Sequence, residues 1–155
     1  MDAFDDPRLT ATGLFLEARD GLMAKLAEPV GRAGLSVLDF DALVRLRRSP
    51  GRRLRLSDLA AQTSLSTSGI TRVVDRLQRD GLARREPSPG DRRSTYAVLT
   101  DEGAARLDHI LPEHLETIER CFTGLLTPGQ LSDFTETLRL IRDAVHPDAG
   151  RHTEA

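Results

Sequence analysis

The chain has 155 residues, 39% apolar and 30% charged, with one cysteine and no tryptophan. That is long enough for one domain with its own core, and lean enough in apolar residues to suit an elongated helical protein that completes its core with a second subunit. No run of about 18 apolar residues is present to cross a membrane, one thiol excludes an internal disulfide framework, and the acidic start has no apolar signal core, so a reducing, cytoplasmic location is the expectation.

The net charge of −2 hides a polarity. Residues 45–93 hold 13 arginines against 5 acidic residues, a local net of +8, while the rest of the chain carries −10. A basic middle between acidic flanks is the layout of a nucleic-acid surface on a soluble frame.

Leu14, Ala18, Leu22 and Leu26 recur every four residues, with Phe15 and Val30 beside them. They predict a first helix ending near Pro29 and Gly31. Ser36 is placed to cap a second helix with Val37, Phe40, Leu43, Val44 and Leu46 on its apolar face, stopped by Ser49-Pro50-Gly51. Leu54 and Leu56 alternate with arginines and read as a short strand. Ser57 then caps a short helix over 58–62 with Leu59 and Ala60 inward. Ser66 caps a helix from Thr67 to Arg79, stopped by Asp80-Gly81. Its apolar residues Ile70, Val73, Val74 and Leu77 make one buried stripe.

Leu82 to Glu86 reads as a strand that the turn Pro87-Ser88-Pro89-Gly90-Asp91 ends. Thr95 to Leu99 reads as its return, giving a hairpin with a basic tip. Thr100 caps the next helix, where Ala104, Leu107, Leu111, Leu115, Ile118, Phe122 and Leu125 recur over about six turns, with a kink expected at Pro112. Thr127-Pro128-Gly129-Gln130 is a capping box opening a last helix with Leu131, Phe134, Leu138, Ile141 and Val145. The polar tail from Pro147 is expected to fray.

Two short helices joined by a tight turn, followed by a basic hairpin, make a helix-turn-helix with a wing. With about 100° per residue, Ser68, Arg72, Asp75 and Arg79 fall opposite the buried stripe of the second helix, flanked by Thr71 and Arg76. Hydroxyls and guanidiniums on one exposed face suit base edges and phosphates. Asp75 is spaced to pair with Arg72 or Arg79. Ser66, as cap, leaves N-terminal amides facing outward as a phosphate site. The tip residues Asp91, Arg92 and Arg93 suit a narrow minor groove, with Asp91 holding one arginine extended; the alternative is an ordinary solvated hairpin. Arg52, Arg53 and Arg55 either touch phosphate or form a solvated strand.

The ordered run Leu59-Ala60-Ala61, Leu65-Ser66, Thr71-Arg72-Val73-Val74-Asp75-Arg76-Leu77, Asp80-Gly81-Leu82 and Arg85, then Asp91-Arg92-Arg93-Ser94 and Leu99-Thr100, resembles the MarR family over about residues 10–146. The resemblance implies a mainly α fold with a small β-hairpin wing, a winged helix-turn-helix with N- and C-terminal dimerisation helices. It implies one unit over 1–155, with the DNA-binding core at 36–100, the dimerisation region at 8–35 and 101–146, and a tail at 147–155. Thr67, Ser68, Thr71 and Arg72 would lie in the major groove, Arg76 near the backbone, and Arg93 in the minor groove braced by Asp91. The family commonly represses genes and releases DNA when a small molecule or oxidant acts, so the expected partners are double-stranded DNA, a second copy of the chain and a small-molecule effector. The effector pocket implied lies between the dimer helices and the winged domain, within reach of Phe15, Arg19 and Phe40. The peroxide-sensing branch has its cysteine in the first helix, and the urate-responsive branch relies on a tryptophan; this chain has neither.

Cys121 reads as a packed thiol. His109 and His114, with Glu113, have the wrong spacing for a zinc helix and read as exposed histidines. No phosphate-binding glycine loop or nucleophile–base–oxyanion set is present, so neither a cofactor nor an enzymatic activity is expected. The alternative function is a winged-helix protein-interaction module without specific DNA binding.

Overall fold

The computed structural model describes residues 3–88 and 91–150, with the side chains of 3, 91–93 and 150 excepted. Helix α1 (Pro7–Arg32) starts at Asp6, whose carboxylate accepts from the Arg8 amide, and puts Pro7 where no amide donor is missed. It runs through Pro29 and ends at Arg32, one residue past the Gly31 that the sequence reading gave for its end. The terminator is Gly34, in the left-handed region at φ +77. Leu35 N donates to Val30 O (3.2 Å) and Gly34 N to Gly31 O (3.0 Å), which closes the last carbonyls.

Helix α2 (Val37–Arg48) is capped by Ser36, whose Oγ accepts from Asp39 N at 3.1 Å. Strand β1 (Arg53–Arg55) buries Leu54 and is shorter than expected, because Leu56 already belongs to helix α3 (Leu56–Thr63). Arg55, not Ser57, holds the cap position of α3, with extended backbone and no side-chain capping bond. Helix α4 (Thr67–Arg79) has the expected bounds, with the Ser66 hydroxyl on Gly69 N. Ile70, Val73, Val74 and Leu77 are all buried, against Leu43, Leu46 and Leu59 in one core.

Strands β2 (Ala83–Ser88) and β3 (Asp91–Leu99) pair antiparallel, and β1 joins the other side of β3 to give the order β1-β3-β2. The register sets Leu54 and Arg85 on either side of Ala97. Pro87 pairs with Thr95, so the strand continues through a residue expected to end it. β2 is an edge strand, and an edge tolerates a proline that has no amide to donate.

Helix α5 (Asp101–Cys121) is capped by Thr100, and helix α6 (Pro128–Val145) opens on the expected Thr127–Gln130 capping box. α5 is assigned as helix without interruption through Pro112, and Leu125 lies beyond it in a 3₁₀ turn. Its buried phase is Ala104, Leu107 and Ile110, whereas Leu111 and Leu115 are exposed, 44% and 52%. α6 buries none of its residues. The tail does not fray at Pro147: a 3₁₀ turn, Pro147–Gly150, packs against α3.

One junction ties α4, the wing and α5 together. Gly81, at φ +74, ends α4, with Leu82 N on Leu77 O (2.8 Å) and Gly81 N on Gln78 O (3.1 Å). Thr100 Oγ1 donates to Gly81 O (2.7 Å) and accepts from Gly103 N (3.0 Å), while Thr100 N donates to Leu82 O (3.1 Å). A Cβ on Gly103 would stand 2.1 Å from Leu82 O, inside any permitted contact. Gly103→Ala is therefore expected to cost ~2–3 kcal/mol by forcing two backbones apart. Gly81→Ala meets open space but sets a side chain at positive φ, which should cost about 1 kcal/mol. Urea unfolding of both variants tests the ranking, and a milder loss for Gly103→Ala would contradict it.

Candidate nucleic-acid interface

The exposed side of α4 is built from its N-terminus. Ser66 Oγ takes Gly69 N and lies 3.1 Å from Ser68 Oγ, and the first two amides of the helix have no intrahelical acceptor. Ser66, Thr67, Ser68 and Arg72 are exposed, and Thr71 is half-buried. Thr71 Oγ1 donates to Thr67 O at 2.8 Å, which leaves its lone pairs facing outward as acceptors. Arg72 has no ion pair among the described residues. The sequence-predicted set thus comes together on one turn and a half of helix.

Arg76 stands apart from that set. Its Nη2 and Nε reach the two oxygens of Asp39 on α2, at 2.7 and 3.3 Å. Asp39 is 7% exposed. Hydrogen bonding to that carboxylate pushes the Arg76 guanidinium above its ordinary value. A bidentate pair of this kind fixes both the spacing and the rotation of two helices.

Asp75 does not pair with Arg72 or Arg79. It accepts from Arg85 of β2 at 2.7 Å, and the same guanidinium reaches Gln78 Oε1 (3.2 Å) and Thr71 O (3.4 Å). Arg79 pairs with its neighbour Asp80 instead. Arg85 therefore buttresses α4 from the wing.

At the wing tip, Asp91, Arg92 and Arg93 begin β3, but their side chains, with Pro89 and Gly90, lie outside the described residues. On β1, Arg53 and Arg55 stack against Tyr96 of β3, 5.0 and 5.8 Å from the ring centre. Arg55 Nε also donates to the Tyr96 hydroxyl at 3.3 Å, and this hydrogen bond is the main cause that pulls the phenol below its ordinary value. Arg52 pairs with Asp101 at the start of α5.

A cavity of about 420 Å³ opens between α1, α2 and α5, lined by Met23, Leu26, Val30, Leu38, Phe40 and His114 among others. His114 is not an exposed helix histidine: its ring sits 4.7 Å from that of Phe40, and its Nδ1 is buried without a hydrogen-bond partner. His109 is exposed. Of the three residues placed near an effector by resemblance, Phe40 lines this cavity. Phe15 lies in a separate groove against α6, and Arg19 is exposed and paired with Asp20. Among the described residues no cluster of side chains is arranged to hold a metal.

Sequence reasoning missed the roles of Asp39, Arg85 and Tyr96, and it read His114 as exposed. A buried acid in an apolar helix face was the available signal for Asp39. The other three depend on cross-strand and cross-helix neighbours that periodicity does not reveal.

A polar recognition helix braced on a second helix, beside a three-stranded sheet with a projecting hairpin, defines a winged helix-turn-helix of the DNA-binding class. The family model for the MarR family matches residues 33–94. Two solved structures from Streptomyces coelicolor superpose on most of the chain. Sco3205, a MarR family transcriptional regulator crystallised with DNA, is 32% identical with a TM-score of 0.83, over 90% of this chain and 88% of that one. AbsC, also a MarR family transcriptional regulator, is 32% identical with a TM-score of 0.85, over 94% and 98%. The HTH-type transcriptional regulator YkoM of Bacillus subtilis is 42% identical over 71 residues, so the chain spans about half the length of that curated relative, 46%. The chain belongs to the MarR family.

Two outcomes follow from this geometry. Arg76→Ala strands the buried Asp39 carboxylate and should cost about 1–3 kcal/mol, discounted from the fully buried case because the arginine is partly exposed. The double variant Asp39→Ala/Arg76→Ala should lose less than the sum of the single losses in urea unfolding, and simple additivity would deny the coupling. Burial pushes the His114 imidazole below its ordinary value. The unfolded chain then binds the proton more tightly, so stability falls as pH drops through about 6.5 toward the lowered folded value. Part of the loss in thermal midpoint between pH 7 and 5 should vanish in His114→Phe; superimposable pH profiles would contradict this.

Proposed function

We propose that the chain is a sequence-specific, double-stranded-DNA-binding transcriptional regulator, acting in the cytoplasm as a homodimeric repressor that a small molecule releases, and that it is not an enzyme. The observation that carries this is the α4 surface: Ser66, Thr67, Ser68, Thr71 and Arg72 displayed together over a fully buried apolar stripe. Serine and threonine hydroxyls with one arginine that is unpaired among the described residues match the donor and acceptor pattern of major-groove edges. Arg76 serves first as the strut on Asp39, with backbone contact left to its remaining donors. Asp91, Arg92 and Arg93 are assigned to the minor groove, and the amides capped by Ser66 to a phosphate. Crystallisation of Sco3205 with DNA supports the reading.

The dimer is assigned to α1, α5 and α6, the 8–35 and 101–146 regions flanking the 36–100 core. Leu14, Phe15, Leu16, Leu111, Leu115 and Ile141 are large apolar side chains exposed on these helices, and a second copy would cover them. The cavity beneath His114 is assigned to the effector. Its walls are apolar, apart from Asp41 and the orphaned imidazole nitrogen, which asks for an apolar ligand with one hydrogen-bonding group.

The test is selection of a duplex from a random pool, followed by binding at several salt concentrations. A pseudo-palindrome with half-sites one helical turn apart is expected, with affinity falling roughly a thousandfold between 50 and 200 mM salt if about six phosphates are engaged. Arg93→Ala should weaken binding without dissociating the dimer, and Arg72→Ala should relax sequence preference more than Arg76→Ala. Weak binding indifferent to sequence would instead favour a protein-interaction module.

A further inference from the structure

We propose that His146, the residue that closes α6, is a positioning residue for DNA recognition: it braces the turn of the helix-turn-helix and so sets how α4 is presented. Its Nε2 lies 3.0 Å from Ala61 O and 3.1 Å from Ser64 Oγ. A carbonyl only accepts, so Nε2 carries the proton and donates it there, with the Ser64 hydroxyl sharing the contact. Both acceptors belong to the end of α3, one turn before α4 begins.

The turn itself shows why a brace matters. α1, α3 and α4 end in the same way, with a left-handed residue whose neighbour's amide reaches back to a carbonyl of the last turn. In α1 and α4 that residue is Gly34 or Gly81, which adopt the conformation freely. In α3 it is Ser64, at φ +55, where a side chain is disfavoured. Its own closing bond, Ser64 N to Ala61 O, is long at 3.3 Å. Ala61 O, held weakly from inside the turn, is held again from outside by His146, and the serine that strains the turn supplies the hydroxyl that meets the same imidazole. The 3₁₀ turn Pro147–Gly150 packs on α3 immediately beyond. α6 thus gains a hydrogen-bonded link to the DNA-binding core although it buries no residue along its own length.

The claim about α4 rests on the DNA-binding reading; the brace does not. Amide hydrogen exchange on the full chain therefore decides the brace without DNA. In His146→Ala, protection of the Ser64 and Leu65 amides should fall about three- to tenfold, as expected for one lost hydrogen bond. His146→Gln, whose amide nitrogen replaces the Nε2 donor, should restore it. On the selected duplex His146→Ala should bind about three- to tenfold more weakly, with a thermal midpoint lowered by only about 2–4 °C and rescue of both by His146→Gln. Unchanged amide protection, failure of glutamine to do better than alanine, or intact duplex affinity in a variant that has lost protection would each overturn the proposal. A wild-type chain that prefers no duplex would sink the DNA reading, while the exchange result would still settle the brace.

Discussion

The first turn of α5 lies so close to the Leu82 carbonyl that no side chain fits at residue 103. Helix α4 and the wing, the elements proposed to meet a duplex, are both referred to that contact. Leu82 is where α4 has ended and β2 begins, and Thr100 is where β3 has ended and α5 begins. The hydroxyl of Thr100 binds Gly81 O on one side and Gly103 N on the other. Helix α4, the wing and the long helix leading to the rest of the molecule therefore meet where two short stretches of backbone, 81–82 and 100–103, are bonded together. A loose joint would leave the α4 surface and the wing free to adjust separately, and sequence discrimination depends on their meeting the duplex in fixed register.

Side chains complete what the backbone begins. Arg85 reaches from the wing to Asp75, Gln78 and Thr71, and Arg76 reaches from α4 to Asp39. Charge on the recognition helix is thus spent unequally. Two of its ionic residues hold the helix still, and Arg72 has no ion pair among the described residues. The same economy appears on and just before β1, where Arg53 and Arg55 lie over Tyr96 and Arg52, in the turn before the strand, holds Asp101.

Capping chemistry made much of this fold legible in the sequence. Ser36, Ser66, Thr100 and Thr127 each cap the helix they were assigned, because a hydroxyl three residues before an amide is a local interaction. The stripe of α4 was equally plain, being buried on one side of a single helix. Less legible was whatever required a second element. Pro87 reads as a stop until its strand is known to lie on an edge. Leu111 and Leu115 read as core until the phase of α5 against α2 is fixed by Leu107 and Ile110. The start of the tail reads as loose until α3 is seen to receive Pro147–Gly150, while residues 151–155 lie outside the described residues. Asp75 has two arginines at helical spacing and takes neither, since Arg85, ten residues on, is brought nearer by the hairpin.

Asp39 occupies α2 one residue before Phe40 and two before Asp41, and both of those line the cavity beneath His114. The grip on the recognition helix and the wall of the cavity are thus consecutive side chains on a single rigid rod. If the cavity takes a ligand, as proposed, a shift of α2 would bear directly on the Asp39–Arg76 pair. On that reading the cavity wall and the grip on α4 would move as one piece.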